Sequence, residues 1–443
     1  MPWRLTAGTY GDAPMTAIDD EATGRAEVGE RLSLRRDRSF ALIVGVGALL
    51  RVVYYATKRT DPLLFNDSLY YSGQARQLAH GIWFKELFSD HPGAEHGPLT
   101  SILMAPLSHA DDPVRWQRLV TLATGIVFVW VIGVFAAEAA GRSVGLCAAA
   151  IAAVYPNLWL NDGLVMSESI STLAIAFALW AAWRAGRSPG WRPLVLTGVA
   201  LGLASLARSE LILLVPLVLA WVLVVRVRSG WDWRPILVAV GACGLVLAPW
   251  VIFNLARFER PVLLTTNDGT TLLGSNCDDM YHGGNAGGWL ITCVTSAPGY
   301  DPLEEPSVRS ARLRSQAVTY VGDHLDDVPK VMAVRLARTL DLYGLDDVIA
   351  QDVGEERPRW AVWAGIAMFW ALVPLAVIGA VRLRPKPRWL LLAPVAVALA
   401  TTIMFYGGHR IRSTAEPSLV VFAAVTVAAI LANFGAGRRL SRP

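Results

Sequence analysis

Charge is scarce in this chain of 443 residues: only 17% are Asp, Glu, Lys or Arg, against roughly 25% in soluble domains. That scarcity excludes an ordinary water-soluble globular protein. The formal net charge of +4 comes from arginines in loops, so it reads as membrane topology and not as a nucleic-acid footprint. There is no Walker motif and no dinucleotide-type glycine fingerprint before a helix, which argues against ATP bound on the cytoplasmic side and against any nucleotide cofactor. Residues 1–38 lack the basic-then-apolar pattern of a cleaved signal peptide and read as a flexible cytoplasmic tail. No internal repeat or low-complexity tract is present. Cysteines number four: Cys147 and Cys243 lie in apolar runs as packing residues, whereas Cys277 and Cys293 lie in a polar loop. A disulfide between the latter two would need an oxidising compartment.

What the chain has is apolar length. Hydrophobic residues make up 54%, mean hydropathy is +0.41, and there are 17 tryptophans, a residue that gathers at membrane interfaces. A spanning helix needs about 20 mostly apolar residues. Spans are predicted at Phe40–Thr57, Trp116–Ala137, Val144–Leu160, Val165–Trp183, Pro193–Ala207, Leu211–Val225, Pro235–Phe253, Trp360–Val381, Trp389–Tyr406 and Pro417–Phe434. The fold class expected is therefore an α-helical polytopic membrane protein with about ten transmembrane helices. Every second loop is basic: Arg35, Arg36 and Arg38; Arg142; Arg184, Arg187 and Arg192; Arg226, Arg228 and Arg234; Arg382 to Arg388; Arg438 to Arg442. This places both termini in the cytoplasm. The expected organisation is a transmembrane core over 39–253 with a functional first outer loop over 58–115. An extracytoplasmic domain over 254–359, C-terminal transmembrane helices over 360–434 and a cytoplasmic tail over 435–443 follow.

Two outer segments are more than linkers. From Tyr71, apolar residues recur at Ala75, Leu78, Ala79, Ile82 and Trp83, with Ser72, Gln74, Arg76, Gln77 and His80 opposite. That spacing predicts an amphipathic juxtamembrane helix on the outer surface, with a second short one over Leu99–Leu107. The segment 254–359 opens with a strand-like Pro261–Thr266, continues through a Gly/Asn-rich stretch, and ends in helices over Ser307–His324 and Val328–Tyr343. It is predicted to be a small mixed α/β domain.

Several polar residues stand where they need a reason. Asp67 lies between the first span and the amphipathic helix, as a helix N-cap or as a general base. Glu168 lies at the outer end of the fourth span, where a carboxylate is costly without a partner or task, and nearby Asp162 reads as an exposed cap. Arg208 and Glu210 interrupt a long apolar stretch, as a mutual ion pair or as part of an anion-binding cleft. Arg51 either snorkels or faces the same cleft. His409, Arg410 and Arg412 break the positive-inside trend, and an outer-leaflet phosphate is a natural partner for them. His91, Glu95 and His96 have no diagnostic metal spacing and read as solvated loop residues.

Four stretches then carry a resemblance. They are Asn66-Asp67 with Tyr70-Tyr71 and Glu95-His96-Gly97-Pro98-Leu99; Tyr155 to Trp159 running into Met166-Ser167-Glu168; Leu206 to Glu210 with Ala248-Pro249-Trp250 and Asn254; and Arg410 to Pro417. In order and topology the chain resembles the lipid-dependent glycosyltransferases of the GT-C class. Within it, the chain resembles the protein-mannosyltransferase-like group (family 39), which includes the lipid A aminoarabinose transferase, and the actinobacterial members of that group. Gly97 departs from a usual proline, Ile411 from an aromatic, and Glu168 from a common aspartate.

The resemblance implies transfer of a sugar from a polyprenyl-phosphate donor to a glycan, glycolipid or protein acceptor, on the extracytoplasmic face of the plasma (inner) membrane. It implies Asp67 as catalytic base, Glu168 as second acid of the cleft, and Arg208, Arg410 and Arg412 as holders of the lipid phosphate. Tyr70, His96 and Glu210 would line the donor and acceptor cleft. The leaving polyprenyl phosphate is a stabilised anion, so a base suffices and inversion is expected. A divalent cation shared by Asp67 and Glu168 is the one cofactor left open. Cys277 and Cys293 are the candidate disulfide. Two other readings compete: a transporter or flippase for lipid-linked sugars, disfavoured by the lack of repeats and midplane polar residues, and a non-catalytic envelope-assembly subunit.

Overall fold

The computed structural model describes residues 34, 37–64 and 66–440, so nearly all of the expected N-terminal tail lies outside the described residues. Where the sequence is apolar, helices form: α1 (Arg38–Lys58), α3 (Pro113–Ala140), α4 (Arg142–Val154), α5 (Glu168–Ala185), α6 (Arg192–Ala207), α7 (Leu214–Arg228), α8 (Ile236–Leu255), α12 (Arg359–Arg382), α13 (Pro385–Met404) and α14 (Glu416–Leu440). Between them lie α2 (Asp67–Ala79), α9 (Pro306–Asp323), α10 (Val328–Thr339) and α11 (Leu345–Gly354). Among the described residues, 7 helices are long and apolar enough to cross a membrane, which makes this a multi-pass membrane protein. Helices α4 and α6 are shorter apolar segments. The expected span Val144–Leu160 is broken at Pro156, which lacks a backbone N–H, and only a short turn, Pro156–Trp159, follows.

The helices close on one another through small residues. Ala148, Ala149, Ala152 and Ala153 of α4 are buried, and a Cβ on Gly133 of α3 would meet Phe40 of α1 and Ala149. Small side chains let backbones approach where no water drives them together. Helix α3 packs against α4 and α5, α6 against α5 and α8, and α12 against α14, which leans on α4.

Arg51 and Asp162 correct the sequence expectation. Arg51 neither snorkels nor reaches a cleft: it is fully buried, pairs with Asp162 at 2.6 Å, and donates to the carbonyls of Gly47, Ala152 and Ala153. Asp162 is no exposed cap; it is buried and also accepts from Ser169 Oγ.

The first outer loop contains the expected helix as α2, and it ends at His80, where Gly81 takes φ +78°. It does not lie with its polar face in water. Ser72 and Gln74 are buried beside Tyr71 and Ala75, and Gln74 Nε2 donates to the Lys85 carbonyl. Ile82 and Trp83 fall beyond the helix and are exposed. The loop is tied to the end of α8 by Arg257, which donates to the carbonyls of Phe84 and Gly93 and lies over the Phe253 ring at 4.3 Å.

The segment 254–359, expected on the outer side, is helical and not mixed α/β: among the described residues no strand forms. Residues 261–266 find no neighbouring strand because other groups take their polar atoms. Trp250 Nε1 and Asn254 Nδ2 donate to the Leu264 carbonyl, and the Thr266 N–H donates to the Ala94 carbonyl. The two expected helices are present as α9 and α10, the second stopping at Thr339 just before Asp341, whose φ is +57°. Cys277 and Cys293 are joined in a disulfide, their Cα atoms 6.1 Å apart.

Candidate active site

Asp67 is the first residue of α2, but the capping role belongs to Asn66, whose side chain accepts from the Ser68 N–H. The Asp67 carboxylate is therefore free to face elsewhere. Its Oδ2 pairs with Arg410 Nη2 at 2.7 Å and its Oδ1 with His96 Nε2 at 3.4 Å. His96 sits between the rings of Tyr70 and Tyr71, each 5.1 Å away. Gly97 places it: a Cβ there would lie 2.3 Å from the Leu206 carbonyl oxygen, so the loop can press on the end of α6 only with glycine. The departure from proline at this position thus has a packing cause.

Arg410 is the hub. Its Nη2 meets Asp67, its Nε meets Glu168 Oε1 at 2.7 Å, and its Nη1 meets Glu355 Oε1 at 3.0 Å. Each of these carboxylates has a second cation of its own. Asp67 has His96, Glu168 has Arg208 at 3.0 Å, and Glu355 has Arg357. Arg208 in turn pairs with Glu210 at 2.6 Å, so the ion pair expected in that turn is present together with a link to Glu168. Glu168 starts α5 and is 1% exposed, and its Oε2 has no hydrogen-bond partner.

The loop carrying Arg410 is held from the outer segment. His409 lies between Asp341 and Asp352. Burial alone would push His409 down, but the two carboxylates outweigh it and hold the imidazole above its ordinary value. Arg412 is buried, paired with Asp341 at 2.6 Å and Glu416 at 3.1 Å, and stacked on Phe369. It is a buttress of this loop and does not border the main cavity.

That cavity, of about 560 Å³, opens between the first outer loop, the outer segment and the loop after α13. Asp67, Tyr70, His96 and Arg410 border it, as does Glu355; Glu168, Arg208, Glu210 and Arg412 do not. Glu168 borders a small void of about 20 Å³ behind Arg410. Burial alone would raise the Asp67 carboxyl, but Arg410 and His96 hold it well below the usual range. His96, opposed by burial, is held above its ordinary value by Asp67. Glu86, on the same cavity wall, is pushed up to about 7 by burial and by Glu95.

Glu355, Arg357, Asp341 and Asp352 were not among the residues singled out in the sequence. A signal for the first two exists: the charged run Glu355-Glu356-Arg357 stands immediately before an apolar span, as Arg410 does after one. Asp67 and Glu168 do not fit a shared metal ion, because the Arg410 guanidinium stands between them and takes both. Among the described residues, no group of three or more His, Cys, Asp or Glu side chains is arranged to hold one.

Residues 96–253 match the family described as dolichyl-phosphate-mannose-protein mannosyltransferase. No curated protein matches the chain in sequence. In structure it is similar to the archaeal oligosaccharyltransferase AglB from Archaeoglobus fulgidus in complex with an inhibitory peptide and a dolichol-phosphate. There the TM-score is 0.58 at 14% identity, over 92% of this chain and 52% of that one. The same enzyme in complex with Zn and sulfate gives 0.56 at 14% identity, over 88% and 49%. ArnT from Cupriavidus metallidurans bound to undecaprenyl phosphate gives 0.46 at 16% identity, over 88% and 77%. The chain spans about half the length of the archaeal enzyme it matches. At these identities what is shared is the fold, and the chain has the helical membrane fold of the archaeal oligosaccharyltransferase.

Proposed function

We propose that the chain is a membrane glycosyltransferase that moves a sugar from a polyprenyl-phosphate donor to a cell-envelope hydroxyl, on the outer face of the plasma membrane. One observation carries the reading. Asp67 is relieved of capping by Asn66, and its carboxylate borders a large cavity between a histidine and an arginine. A carboxylate so placed is a base beside an anion-binding group. The family match over 96–253 and the fold shared with an enzyme that binds dolichol-phosphate support a lipid-phosphate donor.

In this reading ten spans keep both termini in the cytoplasm, and residues 58–115 and 254–359 form the outer side. The acceptor hydroxyl enters the cavity and gives its proton to Asp67 as its oxygen attacks the anomeric carbon. The bond from that carbon to the phosphate oxygen breaks, its electron pair leaves with polyprenyl phosphate, and the anomeric centre inverts. Arg410 compensates the phosphate charge, with Glu168, itself anchored by Arg208, holding the guanidinium from behind. Arg412, expected earlier to share the phosphate, is assigned to supporting the loop. Asp67 is ionised throughout the physiological range, and charge from the phosphate on Arg410 raises its basicity when the donor is bound.

The test is sugar transfer by the purified full-length protein in nanodiscs, with a panel of polyprenyl-phosphate sugars and envelope acceptors. Transfer should fall by about 10²–10⁴ in Asp67→Asn with the fold intact. Equal transfer in both proteins would remove Asp67 as the base. Binding of the donors with no transfer from any would move the reading to a carrier of lipid-linked sugars.

A further inference from the structure

Every nitrogen of Arg410 already meets a carboxylate. Its Nε and both terminal nitrogens each meet a different carboxylate, so an incoming anion would make a fourth negative group around one guanidinium. Releasing one of the three keeps the negative charge around the guanidinium unchanged when the phosphate arrives. Asp67 begins α2 and is held by His96 as well, and the proposed reaction needs it where it is. Glu168 is buried at the start of α5, is shared with Arg208, and does not border the cavity.

Glu355 differs in each respect. It borders the cavity and lies in the short connection between α11 and α12. The neighbouring Glu356 is anchored on Arg118 at 2.7 Å, so a rotation of the Glu355 side chain alone would free Arg410. When it leaves, Glu355 keeps Arg357 as a partner, and no unpaired charge is left buried. Burial, with Glu168 and Asp352 nearby, also pushes its carboxyl above the ordinary value.

We propose that Glu355 holds the place of the donor phosphate on Arg410 Nη1 and yields it, staying on Arg357 alone, when the donor binds. The proposal rests on the phosphate role given to Arg410 above. The freed Nη1 offers its N–H to a phosphate oxygen, a charge-assisted hydrogen bond of the kind arginine makes well to this anion. Glu355 is thus a positioning residue: it keeps the arginine charge compensated in the empty cleft and competes with both the donor and the product lipid phosphate.

The experiment measures the affinity of the full-length protein in nanodiscs for a polyprenyl monophosphate, at constant ionic strength. Glu355→Gln keeps the shape and removes the competing charge. It should bind about tenfold tighter than wild type, and the same lipid should become a stronger product inhibitor. A residue that merely supported the fold would weaken binding, so an affinity equal to or below wild type in the folded variant overturns the proposal. If Glu355→Gln does not fold, Glu355→Asp, which draws the carboxylate back from Arg410, should shift affinity in the same direction, and the same criterion applies. Arg410→Gln separates the two ideas. Wild-type binding in that variant would overturn the phosphate role itself. Lost binding there, with unchanged binding in Glu355→Gln, would overturn only the role of Glu355.

Discussion

Arg410 Nη2 and Asp67 Oδ2 meet at 2.7 Å, joining the loop after α13 to the first turn of α2. This contact ties residues 405–416 to the loop that follows the first helix, and the arginine charge is neutralised by carboxylates that the fold brings to it.

Asp162 and Asp67 should respond differently to the loss of charge. Asp162→Asn leaves the fully buried Arg51 without its counter-ion inside the helical core. Breaking a buried pair in this way costs about 3–5 kcal/mol. Thermal unfolding in detergent should show a large fall in Tm for Asp162→Asn and a small one for Asp67→Asn, since Arg410 keeps Glu168 and Glu355.

Gly97→Ala introduces a methyl group 2.3 Å from the Leu206 carbonyl oxygen. The loop must back away from α6 and carry His96 with it. Displacing a positioned group by about 1 Å lowers rates by roughly 10²-fold. Sugar transfer should therefore drop far more than thermal stability in this variant; unchanged transfer would show that His96 is not held from this contact.

Stability should depend on His409 at alkaline pH. A histidine held above its ordinary 6.5 contributes stability that is complete below that value and is lost as pH rises through the higher folded one. Asp341 and Asp352, held below 3.8, contribute above that value and lose their part only as pH falls through their folded values. Melting temperature should fall as pH rises above 6.5 and through the higher folded value. That slope should flatten in His409→Gln, with the outer segment loosened from the loop after α13.

The Cys277–Cys293 disulfide closes a loop with a sequence separation of 16. On the chain-entropy estimate it stabilises the outer segment by roughly 3 kcal/mol. Cys277→Ser should lower thermal stability, and mild reduction should produce the same shift in the wild type. Equal stability with and without the bond would place the segment's order in its helix packing alone.

The apolar helices were legible because membrane insertion depends on local composition, and twenty apolar residues announce themselves in any fold. Seven of the ten expected spans coincide with helices long and apolar enough to cross, and the helix after Asn66 covers Asp67–Ala79, short of the Ile82 and Trp83 that its periodicity included. The absence of the expected strand over 261–266 was not predictable in the same way. A strand needs a partner, and here the backbone is satisfied by Trp250, Asn254 and Ala94, which are remote or local for reasons no window of sequence contains.

The sequence by itself determined a membrane protein and singled out polar residues that need a partner there: Asp67, Glu168, Arg208 and Arg410. Only the tertiary structure decided which of them meet. Arg410 reaches Glu168 across 242 residues of chain, and a side chain as ordinary in sequence as Glu355 joins them. The reason is physical. Burial and hydrophobicity act residue by residue along the chain, whereas a charge in a low-dielectric interior is tolerable only beside its counter-charge, and that neighbour is chosen by the packing of the helices.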